Sequence, residues 1–111
     1  MMDAFTKKRI ENILDSYMEQ KVPEHARDQV KLNYKIRGDS VTLFEERVGF
    51  RSDQWIQLPI AQFRRNENNK WTVYWQDSKD RWHPVDEITP EDDFELQLQA
   101  VDRNNQGIFW K

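Results

Sequence analysis

The segment from Val30 to Arg37 constrains this chain most. Val30, Leu32, Tyr34 and Ile36 alternate with Lys31, Asn33, Lys35 and Arg37, and a period of two residues makes a strand with one apolar and one mainly basic face. Gly38-Asp39 follows at once, and glycine in the first position of a two-residue loop suits a type II′ hairpin turn. That turn pairs Ile36 with Val41 and Tyr34 with Leu43, keeping both apolar sets on one face, and it puts Lys31 opposite Glu46. A chain committed to such a two-sided hairpin must cover the apolar side with something else.

Two helices are available for the cover. Phe5, Ile10, Ile13, Leu14, Tyr17 and Met18 recur at helical spacing over Ala4 to Gln20, with Asp3 as N-cap. Pro23 ends that helix by disfavouring α geometry at Val22, and it suits the first position of a short turn through Glu24, His25 and Ala26. Near the other terminus, Thr89 is predicted to cap a helix with Pro90 in its first position and Asp92 completing a capping-box pattern. Phe94, Leu98 and Val101 form its buried stripe, while Glu91, Asp92, Asp93 and Glu95 crowd the positive end of the helix dipole. Asn104, Asn105 and Gly107 end it, and Ile108-Phe109-Trp110 is apolar enough to dock on the core.

Between these helices lie further strands. Residues 48 to 54 read as a loop, and Trp55 to Arg65 as an extended segment that Pro59 confines to an edge position or interrupts. After the loop Asn66 to Asn69, the run Lys70-Trp71-Thr72-Val73-Tyr74-Trp75-Gln76 is aromatic and β-branched, as strands are. The turn Asp77 to Asp80 leads into Arg81-Trp82-His83, stopped or bulged by Pro84. The sequence therefore predicts an α+β fold: a mainly antiparallel sheet of about five strands, hairpin plus meander, with an N-terminal and a C-terminal helix on one face. Residues 1–111 read as a single domain without linker or repeat. A chain of 111 residues buries only about two-thirds of its unfolded surface, so with 13% aromatic residues the rings must supply much of the core.

The absence of cysteine removes disulfides, thiolate metal sites and a cysteine nucleophile, and fits a reducing compartment. The N-terminal residues run into a polar helix rather than an apolar signal core, and no apolar run reaches membrane-spanning length. The expected location is cytoplasmic, with no membrane association. Net charge is −3 but uneven: residues 1–37 carry eight Lys/Arg and six Asp/Glu, residues 76–111 four and nine. That distribution hints at a basic face on an acidic chain.

Five local patterns add a resemblance. They are Val22-Pro23-Glu24-His25-Ala26-Arg27-Asp28-Gln29-Val30, Ser40-Val41-Thr42-Leu43-Phe44-Glu45-Glu46-Arg47, Trp71-Thr72-Val73-Tyr74-Trp75, Arg81-Trp82-His83-Pro84 and Gly107-Ile108-Phe109-Trp110. In this order they resemble the domain-of-unknown-function 3024 family of short bacterial proteins. The resemblance implies a compact bacterial protein and no particular reaction, cofactor or partner. After the Trp-His pair this chain has Pro84-Val85 where the family pattern leads one to expect an aromatic or basic residue, which argues against a polar site extending past His83.

Three functional readings follow from the residues. A hydrolase would need His25 or His83 as its base, and His83 has Asp77, Asp80 and Asp86 nearby in sequence, but no Gly-x-Ser-x-Gly elbow supplies a nucleophile. Hydrogen bonding of His83 within the sheet is the plainer reading. Metal binding lacks Cys and paired His, and the Asp77 turn has Lys79 and Arg81 where a calcium loop needs oxygen ligands. No cofactor is expected, and the acidic run at Glu91 is explained by the helix dipole. A single-stranded nucleic-acid module would use Lys31, Lys35, Arg37, Arg64 and Arg65 beside the rings of Trp71, Tyr74, Trp75 and Trp82, with His83 at the same surface. The leading expectation is a non-enzymatic binding or adaptor domain, in which rings on both faces of the Trp71 strand leave Tyr74 or its neighbours exposed for a protein partner or a second copy.

Overall fold

The computed structural model describes residues 2–21, 30–48, 54–103 and 109. Helix α1 spans Ala4–Lys21, followed by strands β1 (Val30–Arg37), β2 (Ser40–Val48), β3 (Trp55–Arg65), β4 (Trp71–Gln76) and β5 (Trp82–Pro84), and helix α2 (Phe94–Arg103). The five strands form one antiparallel sheet in the order β1-β2-β3-β4-β5, a plain meander. This is the predicted α+β arrangement. The turn around Pro23 with His25, the loop residues 49–53, the helix stop at Asn104 to Gly107, and Ile108 and Trp110 lie outside the described residues.

The hairpin register is the one that the alternation dictates. Ile36 faces Val41, Tyr34 faces Leu43 and Lys31 faces Glu46. Gly38 has φ 58° while Asp39 is not in the left-handed region, which fits a II′ turn and not a I′ turn. Side chains of the Lys31–Glu46 pair nevertheless go elsewhere: Glu46 accepts a hydrogen bond from Asn33 Nδ2 at 3.1 Å, and Lys31 Nζ lies 4.4 Å from the centre of the Trp55 ring.

Strand β3 shows how Pro59 is accommodated in an interior strand. From Trp55 to Arg64, Ile60 apart, β3 pairs with β2, but only Gln62 to Arg65 pair with β4. Pro59 therefore sits in a half-strand that has an open side among the described residues, where its missing N–H is tolerated. One residue later the register slips, with Leu43 facing Ala61 and Phe44 facing Pro59, so Ile60 is the extra residue of a bulge.

One face of the sheet carries the core. Val41, Leu43, Ala61, Phe63, Trp71 and Val73 pack against Ile10 and Leu14 of α1 and Phe94, Leu98 and Val101 of α2, with Phe109 of the tail joining them. Phe94 is the hub: its ring centroid lies 4.8 Å from Phe63 and 5.1 Å from Trp71, the latter in an edge-on arrangement. Phe5 departs from its expected place and is 81% exposed. At about 100° per residue it points roughly opposite Leu14 on the helix, so the apolar spacing that includes it is only a neighbourhood match.

Asp3 caps α1 as expected, accepting a hydrogen bond from the Thr6 amide at 2.6 Å. The start of α2 is corrected. It begins at Phe94 rather than Pro90, with Asp93 Oδ1 accepting from the Glu95 amide at 3.0 Å. Residues Thr89 to Glu91 stay extended because the Glu91 backbone forms an antiparallel bridge with Trp71, Trp71 N to Glu91 O at 2.6 Å and Glu91 N to Trp71 O at 3.2 Å. A backbone committed to that bridge cannot enter the helix.

Gln97 secures the junction. Buried in the core, its Nε2 donates to the carbonyls of Trp71 at 2.8 Å and Thr89 at 3.0 Å. The helices are tied together at their C-terminal ends by Asp102, which accepts from Tyr17 Oη at 3.0 Å and Lys21 Nζ at 2.8 Å. The Lys21 hydrogen bond holds the Asp102 carboxyl below its ordinary pKa, while burial, more than the Asp102 contact, raises that of the Tyr17 phenol. Replacing Gln97 by Leu keeps the volume but strips donors from two carbonyls, so Gln97→Leu is expected to lower the unfolding free energy by about 1–3 kcal/mol in urea denaturation. An unchanged midpoint would show that the clamp does not hold the junction.

Candidate functional site

The sheet divides the ten residues singled out from sequence. Because the apolar members of β1 face the helices, Lys31, Lys35 and Arg37 project from the opposite, helix-free face. The β2 and β3 registers bring Thr42, Phe44, Gln62 and Arg64 to that face, and β4 and β5 add Tyr74, Gln76 and Trp82. Arg65, Trp71, Trp75 and His83 belong to the helix side instead. Trp71 is only 2% exposed and is part of the core, so it offers no stacking surface. Trp75 packs against the core edge, and Arg65 donates from Nη2 to Asn69 Oδ1 at 2.8 Å, bracing the loop between β3 and β4.

His83 has a structural environment. Its Nε2 lies 2.6 Å from Asp77 Oδ2, and its ring centroid is 5.1 Å from that of Trp75. Asp77 in turn organises the β4–β5 turn, its Oδ1 accepting from the Lys79 amide at 2.8 Å and the Arg81 amide at 3.0 Å. Asp80, with φ 63°, closes the turn by donating its amide to the Asp77 carbonyl. The His83 hydrogen bond, together with those backbone donors, holds the Asp77 carboxyl down to about 2. Every oxygen of this carboxylate is engaged in holding a turn, and no group of three or more metal-ligating side chains occurs among the described residues.

On the helix-free face the sheet forms a trough of about 590 Å³, lined by Lys35, Arg37, Ser40, Thr42, Phe44, Gln57, Pro59, Gln62, Arg64, Gln76 and Trp82. Three of these residues are cations and none is a carboxylate. Phe44, 3% exposed, forms the floor beside its register partner Pro59. Lys31 lies outside the trough, over Trp55.

Two of the trough's cations lie over rings. The Arg64 guanidinium carbon sits 4.0 Å from the centre of the Tyr74 ring, and Lys35 Nζ 5.4 Å from that of Phe44. Arg64 Nε donates to Gln62 Oε1 at 2.6 Å, and Gln62 Nε2 donates to Thr42 Oγ1 at 2.9 Å. A chain of contacts thus runs across β2, β3 and β4. Sequence reading missed the neutral members Thr42, Phe44, Gln62 and Gln76; part of their signal was the hairpin register, which sets Thr42 opposite Lys35, while Ser40 comes beside Arg64 only through the β2–β3 pairing.

The geometry defines an α+β protein with a helix-covered core face and a cation-lined trough on the other side of one antiparallel meander. Within that class, a family model described as "Domain of unknown function (DUF3024)" matches residues 2–111, and the chain belongs to this family. No curated protein and no solved structure matches it. No helix among the described residues is long and apolar enough to cross a membrane.

A lowered carboxylate pKa adds stability above its unfolded value of 3.8 that is lost as pH falls through the folded value, here about 2. Asp77→Asn keeps an acceptor for the turn but has no charge to lose. In thermal melts the wild type is expected to exceed this variant in Tm at pH 4, and the gap should close toward pH 2. A gap that stays constant over that interval would mean that the charged bond to His83 does not stabilise the fold.

Proposed function

We propose that this protein binds single-stranded nucleic acid along the helix-free face of its sheet. The observation that carries the reading is the trough: three cations and no carboxylate among its described lining residues, on a chain whose net charge is −3. Segregating positive charge into one concavity against the overall charge focuses the field on an anionic ligand. A flexible polyanion fits better than a rigid duplex, because the half-buried ring of Trp82 lies inside the trough, where only unpaired bases reach it. The reading agrees with a bacterial, cytoplasmic protein acting without cofactor or enzymatic step, in which residues 1–111 work as a single domain. The hydrolase reading has less support, since Asp77 and His83 hold a turn.

Neutralising three phosphates on a single strand gives a slope of about −2 for log affinity against log salt. Fluorescence anisotropy with a labelled single-stranded 12-mer is expected to show binding at low salt that follows this slope, and Lys35→Glu should abolish it. The absence of binding at low salt would refute the proposal.

Protein association keeps one specific observation in its favour. Tyr74 lies beneath Arg64, but Ile56 (49% exposed) and Leu58 (45%) present an apolar patch on the half of β3 that β4 does not pair. If this patch joins two copies, the elution volume on a sizing column shifts with concentration and Leu58→Asp removes the shift. Monomeric elution at every concentration would dismiss self-association.

A further inference from the structure

We propose that Arg64 reads bases in the trough and selects guanine; this rests on the nucleic-acid reading above. The three cations of the trough are held differently. Lys35 and Arg37 are exposed on β1, at the edge of the sheet, where long side chains can follow a backbone. Arg64 comes from an interior strand and is fixed twice, by its stack on Tyr74 and by the bond from Nε to Gln62. Gln62 is itself oriented by Thr42, so the guanidinium plane has little freedom left to lose on binding.

With one face on a ring and Nε engaged, the donor edge that remains is the pair of Nη groups. In the sheet register Arg64 is flanked by Ser40 and Thr72, both neutral, and Arg37 follows Ser40 at the sheet edge. Neutral polar flanks suit a base, whereas phosphates are better served by the exposed cations at the sheet edge. Two parallel N–H donors match the O6 and N7 acceptors of guanine. Adenine and uracil have no pair of adjacent acceptors on any edge. Cytosine has one, O2 and N3, but on a smaller ring with less area to stack against Trp82. A single strand lying here places its phosphates toward β1 and a guanine edge against Arg64.

The test compares unstructured labelled oligonucleotides of equal length, alternating uracil with guanine, adenine or cytosine, by anisotropy at fixed salt. Wild type is expected to bind the guanine strand about tenfold more tightly than the adenine strand, within the range for one bidentate pair. Arg64→Lys keeps the charge but not the fork; it should bring the guanine strand down to the affinity of the adenine strand and leave the latter within about twofold. Equal, salt-dependent binding of all three strands by wild type would overturn base reading and make Arg64 a phosphate contact, with the nucleic-acid reading intact. Failure to bind any strand at low salt would overturn both. The wild-type preference is read without any variant, so an Arg64→Lys chain that did not fold would leave the test decisive.

Discussion

Trp71 is gripped through its backbone and its ring at once. Glu91 exchanges two hydrogen bonds with its peptide group, Gln97 donates to the same carbonyl, and Phe94 meets its indole edge-on. This junction fixes where α2 begins and therefore which residues form its buried stripe. It also makes the β5–α2 connection a part of the sheet rather than a loose link. Because α2 covers the β4 side and α1 the β1 side, with Phe109 in the same core, one face of the meander is closed. The other carries polar and charged groups interleaved with the rings of Phe44, Trp55, Tyr74 and Trp82.

That division of faces governs the chemistry available. Four of the aromatic and basic residues that look alike in the sequence serve the helix side, where Trp71 and Trp75 add area, Arg65 braces a loop and His83 secures a turn. On the other face the cations lie over rings, which keeps apolar carbon from water in the unliganded protein while leaving charge at the surface. Such pairs are worth about 0.5–1 kcal/mol each when exposed, weak enough for a ligand ring to exchange with a cation. The trough thus gathers three cations beside partly covered rings.

Sequence made the hairpin, its register and the strand limits of β3 legible, because a two-residue period and a glycine turn are local signals. The α2 start was not. Thr89-Pro90 carries the local signature of a helix entry, and only the long-range bridge from Glu91 to Trp71 overrides it. Likewise the side of the sheet that Trp71 occupies follows from counting along β4, yet its burial depends on α2 arriving above it. Arg64 and Arg65, adjacent in sequence, end on opposite faces as alternation requires; assigning the wrong one of them to the site needed the β2–β3 register to correct. The trough floor was hidden because Phe44 reads as an ordinary core residue.

Gly38 occupies a place with open space around the position of a missing Cβ, and nothing lies within 4 Å of it. It is there for its positive φ alone. A turn one residue longer or shorter would rotate β2 by one position relative to β1, sending Val41 and Leu43 outward and Thr42 and Phe44 under the helices. The polarity of the whole sheet, cation-bearing on one side and apolar on the other, is thus settled by the one residue of the hairpin that has no side chain.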